Sequence, residues 1–379
     1  KVLSTPKYRF QITQSNMRHY KSILFLLFFT LTASISLADA IRRTHLFTRA
    51  LAMGDAYTAV ADSEETISHN PAGLLQEKVE WSLSFPILWL AYDELIRQAM
   101  VGEVEFDFED EGFLEDVPGT RAYLEAQLGF PFWYHPDSGN FIGIGGNWWL
   151  ELVFPRQTII PVVHIENVQQ LTFEYGTAWE LWDWDLYFGT TIKAMKRQGY
   201  IVDVSILEVV DMDLDQLDKT YGSEPPIAYS ADVGLLYRFE ADWNPRIGLM
   251  IMDINGVKFD GVGKLRQFNA IGFAASHYYE DIHFTYSFDF HDFTYTYFSY
   301  KDTQRRLSCG VEAALGRHPD NTSIFSVQLG FKELRHLSYG ISTRLGIVDT
   351  SLVVWKENYG TDDEEKIDKR YMFQIGFMF

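Results

Sequence analysis

The sequence predicts an all-β protein: an antiparallel transmembrane barrel of about 14 strands with a small helical segment ahead of it in the lumen. Three observations carry this. Alternating apolar strands run through most of the chain after position 79. The last of them, Tyr371 to Phe379, ends the protein on an aromatic residue. The chain begins with the pattern of a secretory signal.

At the N-terminus, Met17-Arg18-His19-Tyr20-Lys21 is a short basic stretch, followed by an apolar run from Ser22 to Leu37 and an A-x-A type site at Ala38-Asp39-Ala40. The run is too short, and wrongly flanked, for a permanent membrane helix. Residues 1–40 are therefore read as an upstream extension plus signal peptide, with 41–78 as a plug and 79–379 as the barrel. Removing Lys1, Lys7, Arg9, Arg18, Lys21 and Asp39 moves the net charge from −20 to −24.

Residues 41–78 are too rich in small and polar residues to form wall strands. Ala50, Ala52, Gly54, Ala56, Ala59 and Ala61 let backbone approach backbone, and Asp62 punctuates the run. A helical pattern ends at Ser68-His69-Asn70-Pro71, because the residue before proline is pushed out of the helical region. An ordinary small-residue helix at the barrel mouth accounts for the alanines equally well.

Strands follow. In 281–291, Ile282, Phe284, Tyr286, Phe288 and Phe290 form one face, and His283, Thr285, Ser287, Asp289 and His291 the other. The same division runs through 171–181, 228–239 and 337–347. Further candidates are 80–90, 122–134, 139–153, 157–165, 184–195, 198–207, 245–255, 264–276, 304–315, 322–331 and 348–356. With 371–379 these make sixteen segments, of which 157–165 and 198–207 carry the weakest pattern; a closed barrel takes an even number of strands, and 14 are expected. Tyr92 to Gly119 and Val209 to Tyr221 read as inserts with short helices.

In the final segment Tyr371, Phe373, Ile375, Phe377 and Phe379 recur at period two, opposite Gln374 and Gly376. Such an edge would recruit other chains unless a strand covers it, and pairing with the first strand does so while closing a barrel. This strand is also the expected signal to the barrel-assembly machinery. A core strand of a soluble sandwich is the alternative.

Composition narrows the class. The acidic balance excludes a nucleic-acid partner. The mature part has no apolar run long enough for a membrane helix. The 29 Phe, 21 Tyr and 10 Trp suit a lipid-facing wall with aromatic girdles. The single cysteine, Cys309, cannot form an internal disulfide and reads as a small wall residue.

Apparent chemical motifs fail. Asp211-Met212-Asp213-Leu214-Asp215 opens like a calcium loop, but Gln216 and Gly222 stand where glycine and glutamate are needed. Gly143-Ile144-Gly145-Gly146 lies in a strand, without the strand-turn-helix setting of a nucleotide site. His283, Asp289 and His291 read as polar lumen lining rather than a metal or catalytic set. Asp362-Asp363-Glu364-Glu365 reads as a solvated loop tip. No cofactor, no metal site and no enzymatic activity is expected.

One stretch carries a family resemblance. Gly54-Asp55-Ala56-Tyr57-Thr58-Ala59-Val60-Ala61-Asp62, followed by Asn70-Pro71-Ala72-Gly73, resembles the N-terminal hatch of FadL-type outer-membrane proteins. That superfamily includes long-chain fatty-acid and hydrophobic-compound transporters and the related PorV-like and TraF-like barrels. The resemblance implies a 14-stranded barrel plugged by its N-terminal segment and, in transporters, a lateral exit through the wall. It marks Gly54, Asp55, Asp62, Asn70, Pro71, Ala72 and Gly73 as gating residues. The mature chain is short for a fatty-acid transporter, which points toward the PorV-like and TraF-like branch.

Two functions follow as expectations for the outer membrane of a diderm bacterium, with lipid and lipopolysaccharide as surroundings. The first is passage of a hydrophobic, fatty-acid-like molecule past the plug. Phe290, Phe293, Tyr295, Tyr297, Phe298 and Tyr300 are then its candidate groove, or else part of the interfacial girdle. The second is a non-transporting barrel that binds or anchors a secreted or surface protein.

Overall fold

The computed structural model describes residues 47–76, 82–102, 120–128, 132–137, 139–154, 162–181, 185–205, 214–294, 296, 303–317, 323–358 and 367–378. The strands are β1 Ser82–Asp93, β2 Arg121–Leu128, β3 Phe132–Asp137, β4 Asn140–Val153, β5 Val162–Leu181, β6 Leu186–Ser205, β7 Ala228–Arg238 and β8 Arg246–Met252. They continue with β9 Val257–Lys258, β10 Lys264–Leu265, β11 Phe268–Tyr279, β12 Ile282–His291, β13 Leu307–Arg317, β14 Ser323–Lys332, β15 His336–Leu345, β16 Val348–Asn358 and β17 Ile367–Met378.

All but β9 and β10 belong to one 15-stranded antiparallel sheet, which closes on itself where β17 pairs with β1. Ser84 lies opposite Met378 and Asp93 opposite Arg370. β2 and β3 occupy a single place between β1 and β4, so the 15 strands make 14 wall positions. Closure removes the edge that the aromatic last strand would otherwise expose.

The sixteen segments read from the sequence become 14 because two pairs fuse. Residues 157–165 and 171–181 contribute to one 20-residue strand, β5, and 184–195 and 198–207 to another, β6. These two pair without interruption from Val162↔Ser205 to Leu181↔Leu186. Polar residues on both faces (Glu166, Asn167, Gln169 and Gln170, with Gln198 opposite Gln169 and Arg197 opposite Gln170) break the alternation without breaking the ladder.

The outer face is apolar. Leu171, Phe173, Ile192, Phe273, Phe288, Val327, Leu329, Ile341, Leu352 and Phe373 are exposed on it. Along β12, Tyr286 and Phe288 are exposed while Thr285, Ser287 and Asp289 are buried inside. An apolar exterior around a closed ladder is the form in which strands cross lipid. No described helix is long and apolar enough to cross a membrane.

Connections differ at the two ends of the barrel. At one end they are short, as at 280–281 and 346–347; at the other they include 94–120, 206–227, 253–267 and 292–306. The long loops carry two helices outside the wall. α2, Glu94–Met100, is capped by Asp93, whose carboxylate accepts from the Ile96 amide at 2.8 Å. α3, Leu214–Tyr221, buries Leu217 among Phe154, Val163, Ile165, Tyr200 and Val204. A third helix, α1 (Thr48–Ala52), lies in the N-terminal segment.

Candidate functional site

The lumen is filled by residues 47–76, nearly all of them buried. The helical pattern read over this stretch is shorter than expected. α1 ends after five residues, and Gly54 and Asp55 both take positive φ, 69° each. Two 3-10 turns follow, Glu64–Ser68 and Pro71–Leu75. This irregular path lets the backbone itself touch the wall at many points.

The wall meets it with glycine. A Cβ on Gly189 of β6 would land on the Pro71–Ala72 backbone, and one on Gly234 of β7 on the Asn70 side chain. Gly248 of β8 abuts Thr58, Gly272 of β11 abuts Thr58 and Ala59, Gly310 of β13 abuts Met53, Gly330 of β14 abuts Gly54, and Gly340 of β15 abuts Ala52. In register, Gly189 lies opposite Gly234, Gly248 opposite Gly272, and Gly310 opposite Gly330. The plug answers with its own glycine: a Cβ on Gly54 would sit 2.7 Å from the Phe331 backbone. Glycine here serves close backbone approach.

Polar contacts lock the seat. The Tyr57 and Thr58 amides donate to Asp289 of β12 at 3.0 and 2.9 Å. Asn70 donates to the carbonyls of Thr58 and, across to β7, Leu235, at 2.8 and 3.1 Å, and its Oδ1 accepts from the Ala72 amide. Ser338 of β15 donates to the Ala52 carbonyl at 3.1 Å. Arg246 of β8 donates to Gln76 at 2.8 Å, and Gln76 in turn to the carbonyls of Val60 and Ala61. Each satisfies a buried backbone or side-chain group that the irregular chain leaves without a helical partner.

Arg49 is the electrostatic centre of the plug. Its guanidinium reaches Asp62 at 2.6 Å and Glu312 of β13 at 2.5 Å. Burial opposes its charge, yet Asp62 and Glu312 together hold its pKa well above the ordinary value. Burial likewise pushes the Tyr57 phenol well up. The Glu65 carboxylate accepts from the Arg49 and Ala50 amides at the start of α1.

A second feature lies across the barrel. Among the described residues, the β2–β4 ladder stops at Ala126↔Trp148 and resumes, as β3–β4, at Phe132↔Ile144. On the other side, β1 pairs with β2 as far as Leu88↔Leu128 and with β3 from Ser84↔Trp133, and its register with β17 shifts between Pro86 and Leu88. Proline cannot donate to a ladder, so Pro86 marks the break in sequence. Beside it lies a cavity of about 660 Å³ lined by residues of both wall faces. Asn147 and Gln170 are buried on the lumen side, whereas Ala126, opposite Trp148, shares the outer face with the exposed Gln169 and Leu171.

Toward the long loops, the β9–β10 hairpin buries Phe259 and Val262 against Trp149, Val168 and Met195. Arg197 lies 5.2 Å from the Trp149 ring and 4.5 Å from the Phe259 ring, and donates to Gln170 at 2.7 Å. Among the described residues, no group of His, Cys, Asp and Glu could hold a metal ion.

The structure brings together six of the seven residues marked as gating at the wall or within the plug core: Gly54, Asp55, Asn70, Pro71, Ala72 and Gly73. Asp62 joins them through Arg49. Asp55 faces His69 at 3.6 Å, and Gly73 packs on Ala61. Of the aromatic groove residues, Phe290 is half-buried under Arg306, 4.9 Å away, and Phe293 is half-buried in the turn beyond β12. Tyr295, Tyr297, Phe298 and Tyr300 lie outside the described residues, as do Phe379, the signal segment, Asp211 to Asp213 and the acidic tip at 362–365. Tyr371, Phe373, Ile375 and Phe377 lie in β17, with Phe373 and Phe377 exposed.

Asp289, read as plain lumen lining, is a clamp on the plug. The glycine seat and the wall break were not read from the sequence. The signal for the seat was present: glycines at lumen parity in strand after strand.

No protein-family model matches the sequence, and no curated protein matches it. Solved structures are similar over nearly the whole chain. The toluene transporter TbuX of Ralstonia pickettii is 11% identical with a TM-score of 0.48, covering 88% of this chain and 97% of its own. The Pseudomonas putida toluene transporter TodX is 8% identical with a TM-score of 0.45, over 89% and 99%. The monoaromatic hydrocarbon channel CymD is 10% identical with a TM-score of 0.37, over 87% and 96%. The barrel itself rests on this chain's own strand pairing.

Proposed function

We propose that this chain is an outer-membrane channel for a small hydrophobic molecule, fatty-acid-like in character, which enters from the long-loop end and leaves sideways through the broken wall. The observation that carries the reading is the cavity at the β2–β3 interruption, lined from both faces of the wall above a plug that closes the straight path. Short turns face the periplasm in such barrels and longer loops face outward, which sets the direction. A hydrophobic molecule leaving through the wall goes into lipid and need not dislodge the plug. The surrounding lipid, lipopolysaccharide and assembly machinery are partners on the same reading.

Filling the cavity tests it. Ala126→Trp should lower uptake of a hydrophobic fluorescent probe into proteoliposomes several-fold, while the protein remains in the outer-membrane fraction and heat-modifiable on detergent gels. Changes at Asn70 to Gly73 should alter uptake less than Ala126→Trp. Uptake equal to wild type in Ala126→Trp, or wild-type uptake no greater than that of empty vesicles, overturns the channel. A barrel that gives only background uptake yet retains a secreted protein would be an anchor instead.

A further inference from the structure

We propose that Lys356 and Lys369 form a binding site for a phosphate of an outer-leaflet glycolipid of the lipid A type. The two are direct partners across the β16–β17 ladder, both exposed on the outer face near the long-loop end. Like charges placed directly opposite on a sheet repel, so this pairing opposes the fold unless an anion lies between them. The chain is strongly acidic, and it has nonetheless put two cations side by side here.

Their height on the wall identifies the anion. Two residues below them along the strands runs a row in continuous register: Tyr339 opposite Val354, Val354 opposite Tyr371, and Tyr371 opposite Tyr92. The Tyr92 and Tyr371 rings stack with centroids 5.5 Å apart. Tyrosine rows of this kind mark the boundary between hydrocarbon and headgroups. The lysine pair stands just above that boundary, at the level of the headgroup phosphates.

Among the described residues, the acid that attracts Lys369 is Glu94, and it is already shared with two other donors. Glu94 accepts from Arg97 at 2.9 Å and from the Tyr371 hydroxyl at 2.5 Å. Lys369 lies 4.9 Å from the Tyr371 ring, and Lys356 makes no ion pair among the described residues. Two ammonium groups on adjacent strands can each donate to one phosphate, in the stronger, charge-assisted kind of hydrogen bond. The site rests on the outer-membrane location proposed above and not on transport.

The test uses the full chain in detergent, reading the temperature at which the folded, heat-modifiable band is lost. Bis-phosphorylated lipid A should raise it, and lipid A stripped of phosphate should not. Inorganic phosphate at equal concentration should leave it unchanged. Lys356→Gln with Lys369→Gln should remain folded, with probe uptake unchanged, and bind lipid A about tenfold more weakly. Lys369→Glu should be at least as stable as wild type without lipid, because it converts the repulsive pair into a cross-strand ion pair, yet lose the lipid response.

An equal response to dephosphorylated lipid, to phosphate alone, or in the double glutamine variant overturns the site. So does loss of the response when only Asp362, Asp363, Glu364 and Glu365 are neutralised, which would assign the lipid to a cation bridge at the loop tip. Failure of the uptake assay with an intact lipid response would count against the channel alone.

Discussion

From β6 round to β15 the wall offers glycine to the plug, whereas between β1 and β4 it breaks its own ladder. In the first sector backbone lies against backbone, with Gly189, Gly248 and Gly330 leaving no room for a methyl group. In the second, Arg121 pairs with Glu151 at 2.5 Å, and Glu125 accepts from Asn147 at 2.6 Å and from the Tyr123 hydroxyl. Close packing makes the first sector stiff, because a seat without voids transmits any displacement to the ladder. The second keeps a cavity. On the proposed function, the path for a molecule runs beside β2–β4, and the opposite wall holds the plug.

Removing the plug would break the comparison most completely. A barrel of about 14 strands is too wide to be filled by strand side chains alone. Deleting Ile41 to Gln76 should leave a folded barrel that conducts in planar bilayers, where the intact protein is silent. A folded but silent deletion would show that something else closes the lumen.

The two faces of the wall come next in size. Phe288→Arg places a charge on the lipid face and should cost roughly 2–4 kcal/mol near the bilayer midplane, read as loss of the heat-modifiable band in urea. A lumen arginine should cost less only where water is at hand. Ser287 is not such a place, since it lies opposite Gly310 on the plug seat. Ser342, which lines a polar cavity of about 70 Å³ beneath the plug with Ser326 and Ser351, is. Equal losses in Phe288→Arg and Ser342→Arg would remove the distinction between lipid face and lumen.

The strands were legible in the sequence because lipid imposes period two, and the two faces of β12 were readable residue by residue. Legibility failed where lipid stops. The loop-end portions of β5 and β6, with Glu166, Gln169 and Gln198, carry polar residues on both faces, so a continuous ladder reads as two segments. It also failed for pairs distant in sequence. Asn70 announces a helix stop through Pro71, but its partner Leu235 is 165 positions away, and nothing local connects them. The seat glycines read singly as small-face residues; their alignment opposite one another depends on register between strands, which no single segment encodes. At the wall break, Pro86 was visible, but its consequence needed the pairing of three strands.

The smallest and sharpest test sets one glycine of each sector against the other. At Gly330 an alanine Cβ would fall on the Gly54 nitrogen and the Met53 carbonyl carbon, both backbone atoms of a segment hydrogen-bonded on several sides. Neither the wall nor the plug can yield there without losing contacts elsewhere. At Gly146 the tightest neighbour is the Gln170 carbonyl at 3.2 Å, next to the cavity, where a few tenths of an ångström of movement is available. Overpacking a close-packed site typically costs about 1–3 kcal/mol. Gly330→Ala should therefore lower stability in urea by that amount and admit small ions as the plug lifts, while Gly146→Ala should cost less and leave conductance at background. If both variants are equally stable and equally silent, the plug is not seated on the glycine sector, and the stiffness assigned to that half of the wall is wrong.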